Sequence, residues 1–219
     1  MKFFLDTADI KEIQEAQETG LLDGITTNPS HVAKANTNFT ALVKQICEMV
    51  PGPVSAEVTA PTKDEMLRQG RFLADIAPNV VVKVPLTAEG IKAVKVFSDE
   101  GIKTNVTLCF TSVQALLAAK VGATYISPFI GRVDDIGIEG METVRQIRTI
   151  YDNYDYATQI LTASTRSTLH IRDAALAGSD VATMPMKIFL KLINNPLTDM
   201  GMKLFDADWE KIPEEFRTY

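Results

Sequence analysis

The sequence predicts an α/β protein that folds as a single-domain (β/α)8 (TIM) barrel with an additional C-terminal helix. Eight short runs rich in β-branched residues alternate with longer amphipathic runs along the 219 residues. This alternation indicates parallel strands joined by crossover helices. The run 79–84 contains four valines, as expected of a strand buried on both faces. Because no glycine-rich phosphate loop follows the first run, the pattern favours a closed barrel over an open, doubly wound sheet.

The strand-like runs share a short length and bounding turn residues. In chain order they are Phe3–Asp6, Gly24–Thr27, Val54–Val58, Val80–Val84, Lys103–Leu108, Thr124–Phe129, Gln159–Ala163 and Asp180–Met184. No linker or low-complexity tract interrupts them, so residues 1–219 are expected to form one domain. Residues 199–219 lie beyond the eighth unit as a helical tail, with a helical piece around Met200–Asp206.

The runs between the strands carry helix signals. The first helix is expected over Asp9–Thr19, with Asp9 as its cap and a stop at Gly20. Thr62 and Thr111 are each followed three residues later by Glu or Gln, which predicts two capping boxes. The apolar positions expected to face the core are Ile10, Ile13, Ala16, Met66, Leu67, Leu73, Ala74, Ile91, Val94, Phe97, Leu116, Leu117 and Ala119.

Composition excludes several classes of function. The chain is 46% hydrophobic with a net charge of −6 and no basic block, which argues against nucleic acid or a membrane surface as partner. Asp6 interrupts the apolar start, so no signal peptide or membrane span is expected and the protein is expected in the cytoplasm. Cys47 and Cys109 are expected to be reduced core thiols. His31 and His170 have no metal-ligand spacing, so no metal site is predicted, and no cofactor motif is present.

Polar residues recur where the predicted strands end. They are Asp6, Asn28, Glu57, Lys83, Asn105, Thr107 and Ser164, which fall on six of the eight runs. In a barrel of this type the carboxyl ends of the strands carry the active site, whereas the opposite end is structural. A single polar residue there is explained by the start of a loop, but their recurrence predicts one shared site.

Lys83 is the candidate nucleophile. Alternation puts it on the same side of its strand as Val81 and Pro85. If that side faces the barrel interior, desolvation favours the free amine, which attacks a ketone to form a Schiff base. The alternative is a lysine that reaches solvent from the strand end. Asp6 and Glu57, on the first and third strands, favour the first interpretation, since they would supply a proton acceptor and a proton donor.

Two arginines indicate an anion site. Arg132 follows the sixth run and Arg166 follows the seventh, close to Ser164. A guanidinium matches the geometry of a phosphate, and a serine hydroxyl adds a donor. A lone arginine is more often part of a surface salt bridge, but two at adjacent strand ends favour a phosphate.

The sequence resembles the transaldolase family, specifically its small members that group with fructose-6-phosphate aldolase. The resemblance spans essentially the whole chain. Its motifs are LDTAD at 5–9, GITTNPS at 24–30, VVKVP at 81–85, ATYISPFIGR at 123–132 and DWE at 208–210. The TTNPS and VKVP motifs, in this order and separation, are the most specific of these.

The resemblance implies a role for each candidate. Lys83 would be the Schiff-base lysine and Asp6 the acid/base at the sugar C4 hydroxyl, while Glu57 and Thr107 would hold a catalytic water. Further residues would bind the substrate: Asn28 and Asn105 the dihydroxyacetone hydroxyls, and Ser164, Arg132 and Arg166 the phosphate. The lysine is the electron sink, so no cofactor is expected.

The resemblance also separates two branches of the family. The aldolase branch has Gln where this chain has Glu57 and Tyr where it has Phe129, and it lacks an amide at Asn105. This chain therefore resembles a transaldolase of the pentose phosphate pathway. Such an enzyme transfers dihydroxyacetone from sedoheptulose 7-phosphate or fructose 6-phosphate to glyceraldehyde 3-phosphate or erythrose 4-phosphate. Two alternatives stay open: an aldolase that releases free dihydroxyacetone, and a barrel that binds sugar phosphates without catalysis. Small relatives form homo-oligomers, pentamers or decamers.

Overall fold

The protein is a closed barrel of eight parallel strands in sequential order. The structure is a computed structural model that describes residues 1–30 and 38–217, so His31 lies outside the described residues. The strands are β1 (Lys2–Asp6), β2 (Gly24–Thr26), β3 (Val54–Glu57), β4 (Val80–Pro85), β5 (Thr104–Cys109), β6 (Tyr125–Pro128), β7 (Gln159–Thr162) and β8 (Val181–Met184). All eight predicted runs are confirmed, with ends that differ by at most one residue.

Helices connect the strands and surround the barrel. Those in the described ranges are α1 (Ile10–Glu18), α2 (Phe39–Met49), α3 (Lys63–Ala74), α4 (Ala88–Asp99), α5 (Ser112–Lys120), α6 (Ile130–Asp134), α7 (Gly140–Asn153), α8 (Thr168–Leu176), α9 (Met186–Ile193), α10 (Pro196–Trp209) and a 3₁₀ turn (Glu214–Phe216). The predicted (β/α)8 barrel with an additional C-terminal helix is confirmed. None of the described helices is long and apolar enough to cross a membrane.

Strand register brings the candidate site residues together. Glu57 on β3 is the register partner of Lys83 on β4, and Lys83 is the partner of Asn105 on β5. Because partners in a parallel pair point to the same face, these three side chains share one side of the sheet. That side is the barrel interior, as Val81, two residues before Lys83, packs there with Phe4 and Tyr125.

Helix caps form largely as the sequence predicts. Asp9 accepts a hydrogen bond from the backbone N–H of Lys11, and Thr111 forms a complete capping box with Gln114. The second box is incomplete. Thr62 accepts from the backbone N–H of Glu65, but the Glu65 carboxylate accepts from the Thr62 hydroxyl at 2.7 Å instead of returning to the backbone.

The predicted inward position of Leu117 is wrong. Its side chain is 46% exposed, whereas Ala115, Ala118 and Ala119 form the buried face of α5. Small side chains allow α5 to approach its neighbours closely, and on such a helix the larger leucine lies on the outer side. The buried positions of α5 are therefore those of the alanines. A prediction that places the bulkiest residues inside assigns the wrong face of this helix to the core.

Both cysteines are free and buried, as predicted. Burial raises the pKa of the Cys47 thiol to about 11 and that of the Cys109 thiol to about 12. The reactive thiolate is therefore scarce at neutral pH, and both residues behave as apolar core side chains.

The C-terminal helix α10 is longer than the predicted piece at Met200–Asp206 and is not packed on the barrel. None of its residues is buried. Its large exposed apolar side chains are Leu197, Met200, Met202, Leu204, Phe205 and Trp209. An apolar helix without a buried face is unusual for a monomer.

The hydroxyl of Tyr151 gives a test of how α7 is held against α5. Tyr151 is fully buried and donates to the backbone carbonyl of Ala115 at 2.8 Å. Tyr151→Phe removes this hydrogen bond and should lower the free energy of unfolding by about 0.5–1.5 kcal/mol in urea titrations. Tyr154→Phe, at a residue that is 68% exposed, is the control and should change it little. Equal effects of the two substitutions would contradict this account.

Candidate active site

A cavity of about 430 Å³ opens at the carboxyl ends of the strands. Eight of the ten predicted site residues line it: Asp6, Asn28, Glu57, Lys83, Thr107, Phe129, Arg132 and Ser164. Seven further lining residues were not predicted: Thr26, Pro29, Ser30, Leu108, Ser127, Ala163 and Thr183. Asn105 and Arg166 are the two predicted residues that lie outside the lining.

Lys83 lies on the floor of this cavity and is only 5% exposed. Its Nζ is 2.9 Å from Glu57 Oε2 and donates to the carbonyl oxygen of Thr27 at 3.0 Å. The amine of Lys83 and the carboxylate of Glu57 thus form an ion pair inside the barrel. Lys83 therefore has a charged partner, Glu57, in addition to its buried surroundings. Glu57 is placed to take the ammonium proton, which a nucleophilic amine has to lose.

Asp6 lies at the end of β1 and is held by a chain of hydroxyl groups. Thr26 on β2 donates to Asp6 Oδ1 at 3.0 Å, and the Thr26 and Thr183 hydroxyls are 2.6 Å apart. Because the Thr26 proton points to Asp6, Thr183 on β8 is the donor in the second bond. The chain runs from β8 through β2 to the carboxylate and fixes its orientation towards the cavity.

Thr107 contributes a buried hydroxyl to the cavity wall. Among the described residues its Oγ1 has no hydrogen-bond partner. Most buried polar atoms have a partner, so an orphaned hydroxyl in a cavity wall is a position for a water molecule or a ligand atom.

Asn105 lies one layer below the cavity and is fully buried. Its Oδ1 accepts from the Ser127 hydroxyl at 2.7 Å, and its Nδ2 donates to Ser55 Oγ at 3.1 Å. This network joins β3, β5 and β6 directly beneath the lysine. The amide thus supports Ser127, which does line the cavity.

Arg132 lies at the mouth of the cavity beside two aromatic rings. Its guanidinium carbon is 5.1 Å from the centre of the Phe129 ring, within the range of a cation–π contact. Phe110 packs edge-on against Phe129 with ring centres 6.0 Å apart. The rings restrict the arginine on one side and leave its N–H groups for an anion.

The turn after β7 has a strained backbone at Ser164, whose φ is +59°. A side chain other than glycine rarely adopts this left-handed region, and such residues cluster at functional sites. The turn also passes close to α6. A Cβ at Gly131 would lie 2.2 Å from the carbonyl oxygen of Ser164, so glycine is required there. The close approach brings Ser164 and Arg132 to the same side of the cavity.

Arg166 is about half exposed and paired with a carboxylate. Its two Nη atoms donate to the two carboxylate oxygens of Asp135, with Nη2 at 2.5 Å from Oδ2. The Arg166 hydrogen bond lowers the pKa of the Asp135 carboxyl from its ordinary value. A phosphate that recruits Arg166 therefore has to compete with Asp135 or join it.

The hydroxyl residues missed by sequence reasoning follow one rule. Thr26, Ser127 and Thr183 lie near the carboxyl ends of β2, β6 and β8 and point inward. Strand alternation, applied to every strand as it was to Lys83, would have identified them. Because threonine and serine also occur in ordinary strands, their residue type alone does not indicate a site.

The chain matches known proteins along nearly its whole length. The model of the transaldolase/fructose-6-phosphate aldolase family matches residues 3–217. A "Probable transaldolase" of Parvibaculum lavamentivorans is 59% identical over 212 residues, covering 96% of this chain and 97% of its own. A "Probable transaldolase" of Chelativorans sp. is 57% identical over 211 residues, with the same coverage of both chains.

A third relative, "Probable transaldolase 1" of Bacillus cereus, is 56% identical over 215 residues, which cover 98% of this chain and all of its own. Family model and relatives both span nearly the whole chain, including every strand that lines the cavity. The chain therefore belongs to the transaldolase/fructose-6-phosphate aldolase family.

Proposed function

We propose that the protein is a transaldolase that transfers a dihydroxyacetone unit between sugar phosphates through a Schiff base on Lys83. The observation that carries the proposal is the buried lysine on the cavity floor, 2.9 Å from the Glu57 carboxylate, with Asp6 in the same cavity. A Schiff-base aldol reaction needs an amine nucleophile, a proton acceptor for that amine and a second acid/base at the bond that breaks.

Imine formation uses the ion pair. Glu57 accepts the ammonium proton, and the free amine attacks C2 of a ketose phosphate, such as fructose 6-phosphate or sedoheptulose 7-phosphate. Proton transfer within the adduct gives a carbinolamine. Glu57 then returns its proton to the departing hydroxyl through a water molecule at the Thr107 hydroxyl. Water leaves, and the products are a protonated imine on Lys83 and a carboxylate on Glu57.

Cleavage of the carbon–carbon bond uses Asp6. Its carboxylate takes the proton of the C4 hydroxyl as the C3–C4 bond breaks and an aldose phosphate leaves. The electron pair of that bond becomes the C2–C3 double bond, and the imine nitrogen receives the π pair to give an enamine. In the second half, enamine C3 attacks the carbonyl of glyceraldehyde 3-phosphate or erythrose 4-phosphate, and Asp6 returns its proton to the new alkoxide. The Thr26–Thr183 chain supports this role, because it holds the carboxylate in one orientation.

Substrate binding follows from the remaining side chains. Arg132 and Ser164 line the cavity mouth, and we assign them to the substrate phosphate together with Arg166. Asn28 lines the same cavity and is assigned to the dihydroxyacetone hydroxyls, whereas Asn105 supports this region from the layer below. Charge-assisted hydrogen bonds from arginine give such a site its preference for phosphate.

Transfer, and not release, is favoured by two positions at the water site. Glu57 moves a proton through water, which a glutamine cannot do, and Phe129 lacks the hydroxyl that a tyrosine would provide. With no hydroxyl at position 129 to pass a proton to the enamine, this intermediate persists longer, until an acceptor aldose arrives.

We further propose that the protein forms a homo-oligomer in which α10 packs on a second copy of the chain. The support is the row of exposed apolar side chains on α10, including Leu204 and Phe205, with no buried residue on the helix. A neighbouring copy would remove this surface from water.

The first test of the proposal is covalent. Borohydride added in the presence of fructose 6-phosphate should reduce the imine, and peptide mapping by mass spectrometry should place the adduct on Lys83. Lys83→Met should abolish the label, while Lys120→Met at an exposed position should keep it. A label on another lysine, or none in the parent protein, would exclude the mechanism.

The second test concerns the branch. Glu57→Gln keeps the length of the side chain but removes the base, which should slow donor turnover by about 10²–10⁴-fold. Adding Phe129→Tyr supplies a hydroxyl beside the same water, so the double variant should show a higher ratio of aldolase to transaldolase activity than the parent. The measurement compares dihydroxyacetone released from fructose 6-phosphate without acceptor against transfer to erythrose 4-phosphate. An unchanged ratio, with both activities lower, means that these residues do not set the branch.

The third test concerns assembly. Light scattering should give a mass that is a multiple of the 24.1 kDa chain. Phe205→Glu puts a charge into the apolar row and should lower this mass, whereas Lys203→Ala on the same helix should not. A parent protein that has the mass of one chain at micromolar concentration contradicts the proposed homo-oligomer.

A further inference from the structure

Two loops at the cavity mouth are joined by a pair of acid–base contacts that the proposed mechanism does not use. One is the α6 segment, which carries Arg132 and ends with Asp134 and Asp135. The other is the turn from β7 to α8, which carries Ser164 and Arg166 and is followed by His170 on α8. Asp135 pairs with Arg166, and Asp134 lies 3.3 Å from His170 Nε2.

His170 contacts both loops through its two ring nitrogens. Its Nδ1 accepts a hydrogen bond from the backbone N–H of Arg166 at 3.3 Å, so Nδ1 carries no proton. In the neutral ring the proton is then on Nε2, which faces Asp134 Oδ2. The ring is about one-fifth exposed, whereas the Asp134 side chain is 37% exposed, so the contact between them borders solvent.

Asp134 fixes the other end of the bridge. Its Oδ1 accepts from the backbone N–H of Gly140, the first residue of α7, at 2.9 Å. The carboxylate thus joins the end of α6 to the start of α7, while its second oxygen faces the histidine. His170 therefore contacts a carboxylate whose position is fixed by its own hydrogen bond to the start of α7.

The hydrogen bond to His170 Nδ1 fixes the backbone of Arg166, whose guanidinium we assign to the substrate phosphate. Arg166 also crosses the face of Gly131, where a Cβ would lie 2.7 Å from its Nε. Asp135 holds the guanidinium, His170 holds the backbone N–H, and Ser164 two residues earlier has a strained φ of +59°. A strained turn keeps its conformation only when its neighbours fix it.

We propose that His170 is a positioning residue of the phosphate site. Through its bond to the Arg166 backbone and its contact with Asp134, it holds the β7–α8 turn so that Ser164 and Arg166 converge with Arg132 on the phosphate. It does not touch the substrate. The inference rests on the proposed function, which assigns the phosphate to these three side chains.

The test compares phosphorylated and unphosphorylated ligands in His170 variants of the full chain. His170→Ala should lower kcat/KM for fructose 6-phosphate by about 3- to 10-fold, the effect of one hydrogen bond, mainly through KM. The value for unphosphorylated fructose should not change. Binding of inorganic phosphate, measured by calorimetry, should weaken by a similar factor and in the same direction as in Arg166→Ala. Arg172→Ala, an exposed residue on α8, is the control and should change neither ligand.

Two conservative variants separate positioning from general stability. In His170→Asn the side-chain oxygen takes the place of Nδ1, accepts from the Arg166 N–H and should restore most of the phosphate preference. His170→Gln places its amide near Asp134 and should restore less. Equal losses for both sugars in His170→Ala, or no loss for either, would overturn the inference. So would equal behaviour of the Asn and Gln variants.

The inference and the proposed function fail in different ways. Borohydride trapping on Lys83 with dihydroxyacetone tests the chemistry without a phosphate and should succeed in the parent and in every His170 variant. If trapping fails in the parent, the Schiff-base mechanism is excluded. The effect of His170 variants on the binding of inorganic phosphate can still be measured. If trapping succeeds but the parent does not bind inorganic phosphate, the proposed role of His170 in the phosphate site is contradicted.

Discussion

The ion pair between Lys83 and Glu57 is the constraint on which the site depends. Parallel register makes these residues neighbours on adjacent strands, and both side chains point into the barrel. Moving two charges out of water costs several kcal/mol per ion, and only good geometry with further hydrogen bonds offsets this. The carbonyl of Thr27 supplies one such bond. Each partner is thus a condition for burying the other, so neither can be replaced alone without leaving an uncompensated charge.

The barrel interior beneath the pair is organised in layers. An apolar layer that includes Phe4, Val81 and Tyr125 closes the amino-terminal part. The amide of Asn105 with the hydroxyls of Ser55 and Ser127 forms a polar layer above it. The lysine lies next, with the open cavity beyond. The change from apolar to polar with height gives the ammonium hydrogen-bonding surroundings while water is excluded from below.

Much of the fold and part of the site follow from sequence pattern. The eight strands follow from the sequence to within one residue because β-branched runs and caps give a strong local signal. Alternation puts Lys83 on the face of Val81, and the carboxylates of Asp6 and Glu57 favour the inward direction of that face. The depth of Asn105 was not predictable, because height inside a barrel depends on the stagger between strands, which a single strand does not encode. The pairing of Arg166 with Asp135 was also not predictable, since it joins side chains 31 residues apart across two loops. Leu117 was misplaced because alanines, and not the bulkier residues, form the buried face of α5.

Closure of the barrel has a consequence for the synthesis of the protein. β1 pairs with β8 through Lys2–Leu5 and Val181–Met184. The pairing of β1 is therefore complete only after β8 has been synthesised. Asp6, near the start of the chain, is oriented by Thr26, whose hydroxyl in turn bonds to that of Thr183. A nascent chain that lacks β8 already contains Lys83, Glu57 and Asp6. It does not contain Thr183, whose hydroxyl completes the hydrogen-bond chain that orients Asp6. The geometry around Asp6 is complete only when β1, β2 and β8 have come together, and such non-local contacts form slowly. An incomplete chain therefore lacks the orientation of Asp6 that the closed barrel provides.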